Sequence, residues 1–265
     1  MGKVITVASQ KGGVAKTVTV VNLGIGLVRA GKKVLLIDAD AQGSMTASLG
    51  IQEPDELDFT LVNIMEKIVN DETFNYLDGI LRHEEGVDFL PANIELAGLE
   101  TTLVNVMSRE TILRQYINQI RDFYDYIVID TMPSLGMMTI NALVAADSVL
   151  IPVEAAYLPL KGLQQLIKII GRVHRHLNPQ LQIEGILLTK VDRRTNFAKD
   201  ISDIVRKTYG EQIHIFKSSI PLSIKAAETS AEGKSIFLHA PNGIVAEGTG
   251  GHDAALPRRS GPAAG

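Results

Sequence analysis

Six stretches of the chain are apolar almost throughout and rich in β-branched residues. They are KVITVA (3–8), KVLLID (33–38), YIVID (126–130), SVLIPV (148–153), IEGILLTK (183–190) and, more weakly, IHIFKSSI (213–220). Continuous apolar runs of this length suit strands covered on both faces, as in a parallel sheet. Between them, apolar positions recur at helical spacing over 17–29, 108–121, 138–145, 160–177 and 197–209. This alternation predicts an α/β fold: a doubly wound, mostly parallel sheet flanked by helices, with right-handed crossovers. Ligands on such sheets bind at the carboxyl ends of the strands. Residues 51–100 follow the pattern less well. Short helices are expected near 60–68 and 72–81, and a strand around 87–90, ahead of Pro91. After about residue 240 the hydrophobic periodicity stops and Gly, Ala and Pro dominate. Residues 1–239 are therefore expected to form a single domain, and 240–265 a disordered tail.

Composition narrows the classes. The 265 residues are 45% hydrophobic and 21% charged, enough for one sizeable core. There is no cysteine. This excludes disulfides, thiolate zinc sites and iron–sulfur clusters, and it fits a reducing cytoplasm. The N-terminus lacks the regions of a signal peptide, and no apolar run approaches the roughly 20 residues that cross a bilayer. Gly2 with Thr6 loosely matches a myristoylation pattern, but the residues from 4 to 7 read as a buried strand. The net charge of −4 is unevenly spread: residues 51–100 hold thirteen Asp or Glu against two Lys or Arg, and residues 190–225 hold eight Lys or Arg against four Asp or Glu. A local basic face is compatible with an acidic whole.

The candidate chemistry falls at the strand ends. SQKGGVAKTV (9–18) follows the first strand and opens the first helix. It departs from the phosphate-loop pattern G-x-x-x-x-G-K-[ST], with Gln10 and Ala15 at the glycine positions and glycines moved to Gly12 and Gly13. A helix N-terminus presents unpaired N–H groups and a positive dipole end to phosphate. Gly12 and Gly13 let the backbone close in, Lys16 suits β- and γ-phosphates, and Thr17 suits magnesium. Ala15 gives up some backbone freedom but is free to take any right-handed conformation. For the loop alone, the alternative is a glycine-containing strand–helix turn that binds nothing. Asp38 and Asp40 follow the second strand, and two carboxylates aimed at one crevice repel without a cation or proton between them. Near a magnesium–phosphate centre one would hold metal-bound water and the other orient the attacking water; a solvated polar turn is the alternative. Asp130 ends the YIVID strand and fits a Walker B carboxylate. The loop after it, bounded by Pro133 and Gly136, is placed to sense a γ-phosphate. Three such elements at three strand ends imply nucleotide binding.

KGGVAKT, DADAQG and DTMPSLG together resemble the deviant Walker A ATPases of the MinD/ParA superfamily, and specifically the ParA/Soj partition branch. The similarity runs to about residue 238 and includes VEAAYLPLKGLQQL and LLTKVDRRTNF. It implies the P-loop NTPase fold, ATP and Mg2+ as cofactors, and a slow ATPase that a ParB-like centromere-binding partner stimulates. Lys11 matches the family's early lysine, which reaches across an ATP-bound homodimer to the partner's nucleotide. Lys16 and Thr17 match the phosphate lysine and magnesium ligand, with Gly12, Gly13, Val14, Ala15 and Val18 completing the ATP-binding loop. Asp40 matches the carboxylate needed for hydrolysis, and Asp38 and Asp130 fall on the metal side. Pro221 follows the last strand, where family members hold adenine. The chain departs from the common family form with Ala15 for Gly, Val18 for Thr, Ala41 for Pro and Met132 for Pro.

The resemblance also implies nonspecific DNA contacts at Arg194 and Lys225, which would be steeply salt-dependent. A solvated helix face is the alternative for any single basic residue. Residence is expected in the cytoplasm, on the nucleoid when ATP is bound. A MinD-like membrane cycle would need a basic amphipathic C-terminal helix, and GTGGHDAALPRRSGPAAG has no such face. A relative of the same fold that positions another cargo, or regulates conjugation or polysaccharide export, would have the same active site.

Overall fold

The computed structural model describes residues 1–155, 159–192, 195–223, 229 and 232–239. The expected DNA contacts Arg194 and Lys225, and the expected tail 240–265, lie outside the described residues.

The strands are β1 (Lys3–Val7), β2 (Val34–Ala39), β3 (Leu81–Arg82), β4 (Asp88–Leu90), β5 (Tyr126–Thr131), β6 (Ser148–Glu154), β7 (Gln182–Val191) and β8 (Ile215–Pro221). They form one sheet in the order β3-β4-β2-β5-β1-β6-β7-β8. Every neighbouring pair is parallel except β3–β4. The chain leaves β1 toward one edge, returns to insert β5, then crosses to β6 on the other side. The crevice of a doubly wound sheet opens at such a reversal, beside the carboxyl ends of β1 and β5.

Period-two alternation divides the strand residues between two apolar layers. Leu35 and Ile37 of β2 and Ile127 and Ile129 of β5 face one layer. Val34 and Leu36, with Val128, face the other. The first layer is covered by α3 (Leu61–Val69), α4 (Glu95–Leu103), α5 (Ile112–Ile120), α6 (Met137–Ala145), α7 (Pro159–His176) and α8 (Asn196–Tyr209). The second is covered by α1 (Lys16–Arg29), α2 (Ser44–Ser48) and α9 (Ile236–His239). No helix among the described residues is long and apolar enough to cross a membrane.

One expected helix is absent. Residues 72–81 make turns that lead into β3, with Asn75 Oδ1 accepting the Leu77 N–H at 3.1 Å. Asp71 and Gly79 bracket the segment at φ 53° and 76°. Left-handed residues at both ends and an Asx turn between them stop helical propagation. The 108–121 helix is also shorter than its periodicity suggests, because 3-10 turns replace α-helix at Arg109–Thr111 and Arg121–Phe123.

The amino end of the sheet is closed by complementary charges. Lys3 Nζ meets the buried Glu184 at 2.6 Å. Asp147 accepts the Val4 N–H at 2.8 Å and pairs with Arg121 at 3.0 Å. Asn178 donates to the carbonyls of Leu143, Val144 and Ala146, closing the end of α6.

Candidate functional site

The loop from β1 to α1 is tied to its neighbouring strands by threonine hydroxyls. Thr189 of β7 donates to the Val14 carbonyl at 3.0 Å, and Thr131 of β5 to the Val7 carbonyl at 2.9 Å. Gly13 sits at φ +71° with nothing within 4 Å of where a Cβ would stand, so its glycine serves the backbone rather than a tight contact. Ala15 caps α1 at φ 64°, ψ 32°, in the left-handed region. This differs from the right-handed conformation expected for it. The turn into α1 demands a left-handed residue, and a side chain there costs about 1–2 kcal/mol. Thr19 stabilises that turn, donating to the Ala15 carbonyl through both N–H (2.9 Å) and Oγ1 (2.7 Å).

The first turn of α1 leaves the Lys16, Thr17 and Val18 N–H groups without intrahelical acceptors. All three residues line a cleft of about 440 Å³. Asp40 after β2, Pro133 after β5, Lys190 on β7 and Pro221 at the end of β8 line the same cleft. Gly12, whose Cβ position lies 3.8 Å from Pro133, borders it.

Asp38 and Asp130 are register partners on adjacent strands, both buried. Thr46 donates to Asp38 Oδ2 through N–H (2.9 Å) and Oγ1 (2.8 Å), and the Asp40 N–H reaches Asp38 Oδ1 at 3.2 Å. Asp130 Oδ2 accepts from Thr17 Oγ1 at 2.7 Å, while its buried Oδ1 has no partner. Burial pushes the Asp38 carboxyl up to about 7 against the pull of its hydrogen bonds. Burial, reinforced by the Asp38 charge, pushes Asp130 up to about 8. Burial lowers the ammonium of Lys16, and Asp130 and Asp40 oppose that effect.

Like charges therefore converge beside a helix N-terminus, and the acceptor left open belongs to Asp130. A divalent cation fits this arrangement. Magnesium is commonly held by one or two carboxylates with substrate phosphates and water. The described residues contain no group of three or more His, Cys, Asp or Glu placed to hold a metal ion. Thr17 and Asp130 are the side chains that would hold such an ion. Asp38, with both oxygens engaged, braces the turn that carries Asp40.

Lys11 takes a different course. Its Nζ lies 2.5 Å from Glu154 Oε2, at the end of β6, and the residue does not line the cleft. Glu154, Thr46, Thr189 and Lys190 are not marked as site residues by their local sequence. Only the strand order, which sets β6 beside β1 and β7 beyond it, brings three of them to the phosphate loop.

A P-loop nucleotide-binding ATPase is the class that this sheet, loop and carboxylate set define. Residues 2–183 match the family described as "AAA domain". The chain is 43% identical to the Bacillus subtilis sporulation initiation inhibitor protein Soj, over 93% of this chain and 95% of that protein. It is 40% identical to the Myxococcus xanthus chromosome partitioning protein ParA, over 90% of this chain and 82% of that one. Among solved structures, a Mycobacterium smegmatis protein named cobyrinic acid a,c-diamide synthase superposes with a TM-score of 0.79 at 33% identity, covering 97% of this chain and 100% of that one. It has been solved with ADP and magnesium and with an ATP analog and magnesium. The chain belongs to the ParA/Soj family of ATPases.

Proposed function

We propose that this protein is an ATP-dependent DNA-partition switch for a chromosome or plasmid. The observation that carries the reading is the open Asp130 carboxylate beside Thr17 and Lys16, with a second loop lysine, Lys11, paired to Glu154. Lys16 and the α1 N-terminus hold the phosphates, with Gly12, Gly13, Val14, Ala15 and Val18 shaping the loop. Thr17 and Asp130 hold Mg2+, which when bound neutralises phosphate charge. Asp40 orients the attacking water, and Pro221 borders the adenine. Lys11 serves the nucleotide of a second protomer. A lysine donated in trans makes dimer closure depend on ATP, because the contact to the γ-phosphate exists only in the closed dimer and ends with hydrolysis. The closed dimer holds nonspecific DNA through Arg194 and Lys225, and a ParB-like partner stimulates an otherwise slow hydrolysis that releases it. On this reading the protein works in the cytoplasm, and residues 1–239 act as one ATPase domain. The names of the curated relatives, at 43% and 40% identity, support partition over the synthase name carried by the structural neighbour at 33%.

DNA co-sedimentation at low salt tests the switch: binding with ATP and release with ADP are expected, and equal binding in both would sink it. Lys11→Ala should leave monomer ATP affinity nearly intact yet abolish ATP-dependent dimerisation. Asp40→Ala should trap the ATP dimer.

A further inference from the structure

Lys11 and Glu154 form an ion pair at 2.5 Å, with side chains 41% and 24% exposed. Their partnership follows from topology, because the phosphate loop leaves β1 and Glu154 ends β6, the strand paired with β1. Lys16 lines the nucleotide cleft and Lys11 does not. Two lysines in one short loop would both be drawn to the same bound phosphates, and a carboxylate on the far side of the loop opposes that collapse for Lys11. The same carboxylate also competes with any phosphate offered by a second protomer.

We propose that Glu154 is a latch in cis, a positioning residue that holds Lys11 within its own protomer until a closing dimer exchanges the carboxylate for the partner's nucleotide phosphate. This rests on the trans-lysine reading above and adds its regulation. Only the unlatched fraction of each protomer is competent to close, so the apparent dimer affinity falls by that fraction. A part-exposed pair of this kind shifts the equilibrium by up to about fivefold. Each dimer releases two latches, so removing both should tighten dimerisation by up to about 25-fold.

Sedimentation velocity with Mg2+ and a non-hydrolysable ATP analogue tests this on the full chain. Glu154→Gln should lower the protein concentration at half-dimerisation by several-fold to about 25-fold, with Glu154→Asp falling between it and wild type. Its melting temperature should fall by no more than about 4 °C and the analogue affinity of the monomer should match wild type, which separates a latch from a residue needed only for folding. Adding Lys11→Ala to Glu154→Gln should remove the gain. Dimerisation of Glu154→Gln equal to or weaker than wild type would overturn the latch and leave the switch standing. A wild type that stays monomeric with the analogue would overturn the switch, and the latch with it.

Discussion

The two ends of the central strands handle charge in opposite ways. At the amino end opposite charges meet: Lys3 with Glu184, and Arg121 with Asp147, which also takes the Val4 N–H. At the carboxyl end like charges meet: Asp38, Asp130 and Asp40 crowd together, and burial, with the neighbouring carboxylates adding to it, raises the carboxyls of Asp38 and Asp130. The same sheet thus has one end whose charges are paired and one end where three carboxylates outnumber the buried Lys16 ammonium. Paired charges at the sheet's amino end are part of the fold, whereas a buried like-charge cluster is stable only with protons or a bound cation. The contrast marks the carboxyl end as the candidate working end without reference to any motif.

The largest effect should come from removing the cation that the carboxyl end already has. Lys16→Ala leaves phosphate unpaired in the cleft and should weaken Mg·ATP binding by at least about 100-fold, read by calorimetry. Retained affinity would mean that the cleft is not the phosphate site. The second effect is a pH dependence of the nucleotide-free protein. Asp130 and Asp38 stay protonated in the folded chain up to about 8 and about 7, whereas unfolded aspartates release their protons near 4. Between those limits the folded state binds more protons than the unfolded one, so stability falls as pH rises through that window. Asp130→Asn should flatten that slope, so its stability relative to wild type, from urea midpoints without magnesium, should be higher at pH 8 than at pH 5.5.

The third prediction tests the other end. Asp147→Ala strands the buried Val4 N–H and should cost about 2 kcal/mol of stability, while Mg·ATP affinity stays within about twofold of wild type. A loss of affinity as large as that of Lys16→Ala would erase the distinction between the ends. The smallest effect is at Ala15. Ala15→Gly relieves a left-handed alanine but frees the unfolded chain, so the net gain should be about 0.5–1 kcal/mol, or roughly 1–4 °C in melting temperature. A destabilised Ala15→Gly would show that the loop carries no such strain.

Much of this was legible in the sequence because it depends on local pattern. The β-branched runs at 33–38 and 126–130 correspond to β2 and β5 within a residue at their ends, since strands covered on both faces leave no polar interruptions. Asp38, Asp40 and Asp130 could be placed at one crevice because strand ends in a parallel sheet share an edge. The turns at 72–81 were not legible, since a left-handed Asp71 follows from tertiary fit rather than composition. The Lys11–Glu154 contact and the Thr46 brace on Asp38 depend on which strands are neighbours, and on a loop's path across them. No local spacing records either. Ala15 shows a related limit: the sequence names the residue, but only the backbone reveals the conformation imposed on it.

The central claim is that the carboxyl end is completed by a magnesium-bound nucleotide. Calorimetric titration of ATP into wild type and Asp130→Asn, each with Mg2+ and with EDTA, addresses it most directly. Wild type should bind far more tightly with Mg2+, and Asp130→Asn should lose most of that difference. Equal ATP affinity of wild type with Mg2+ and with EDTA would contradict the account.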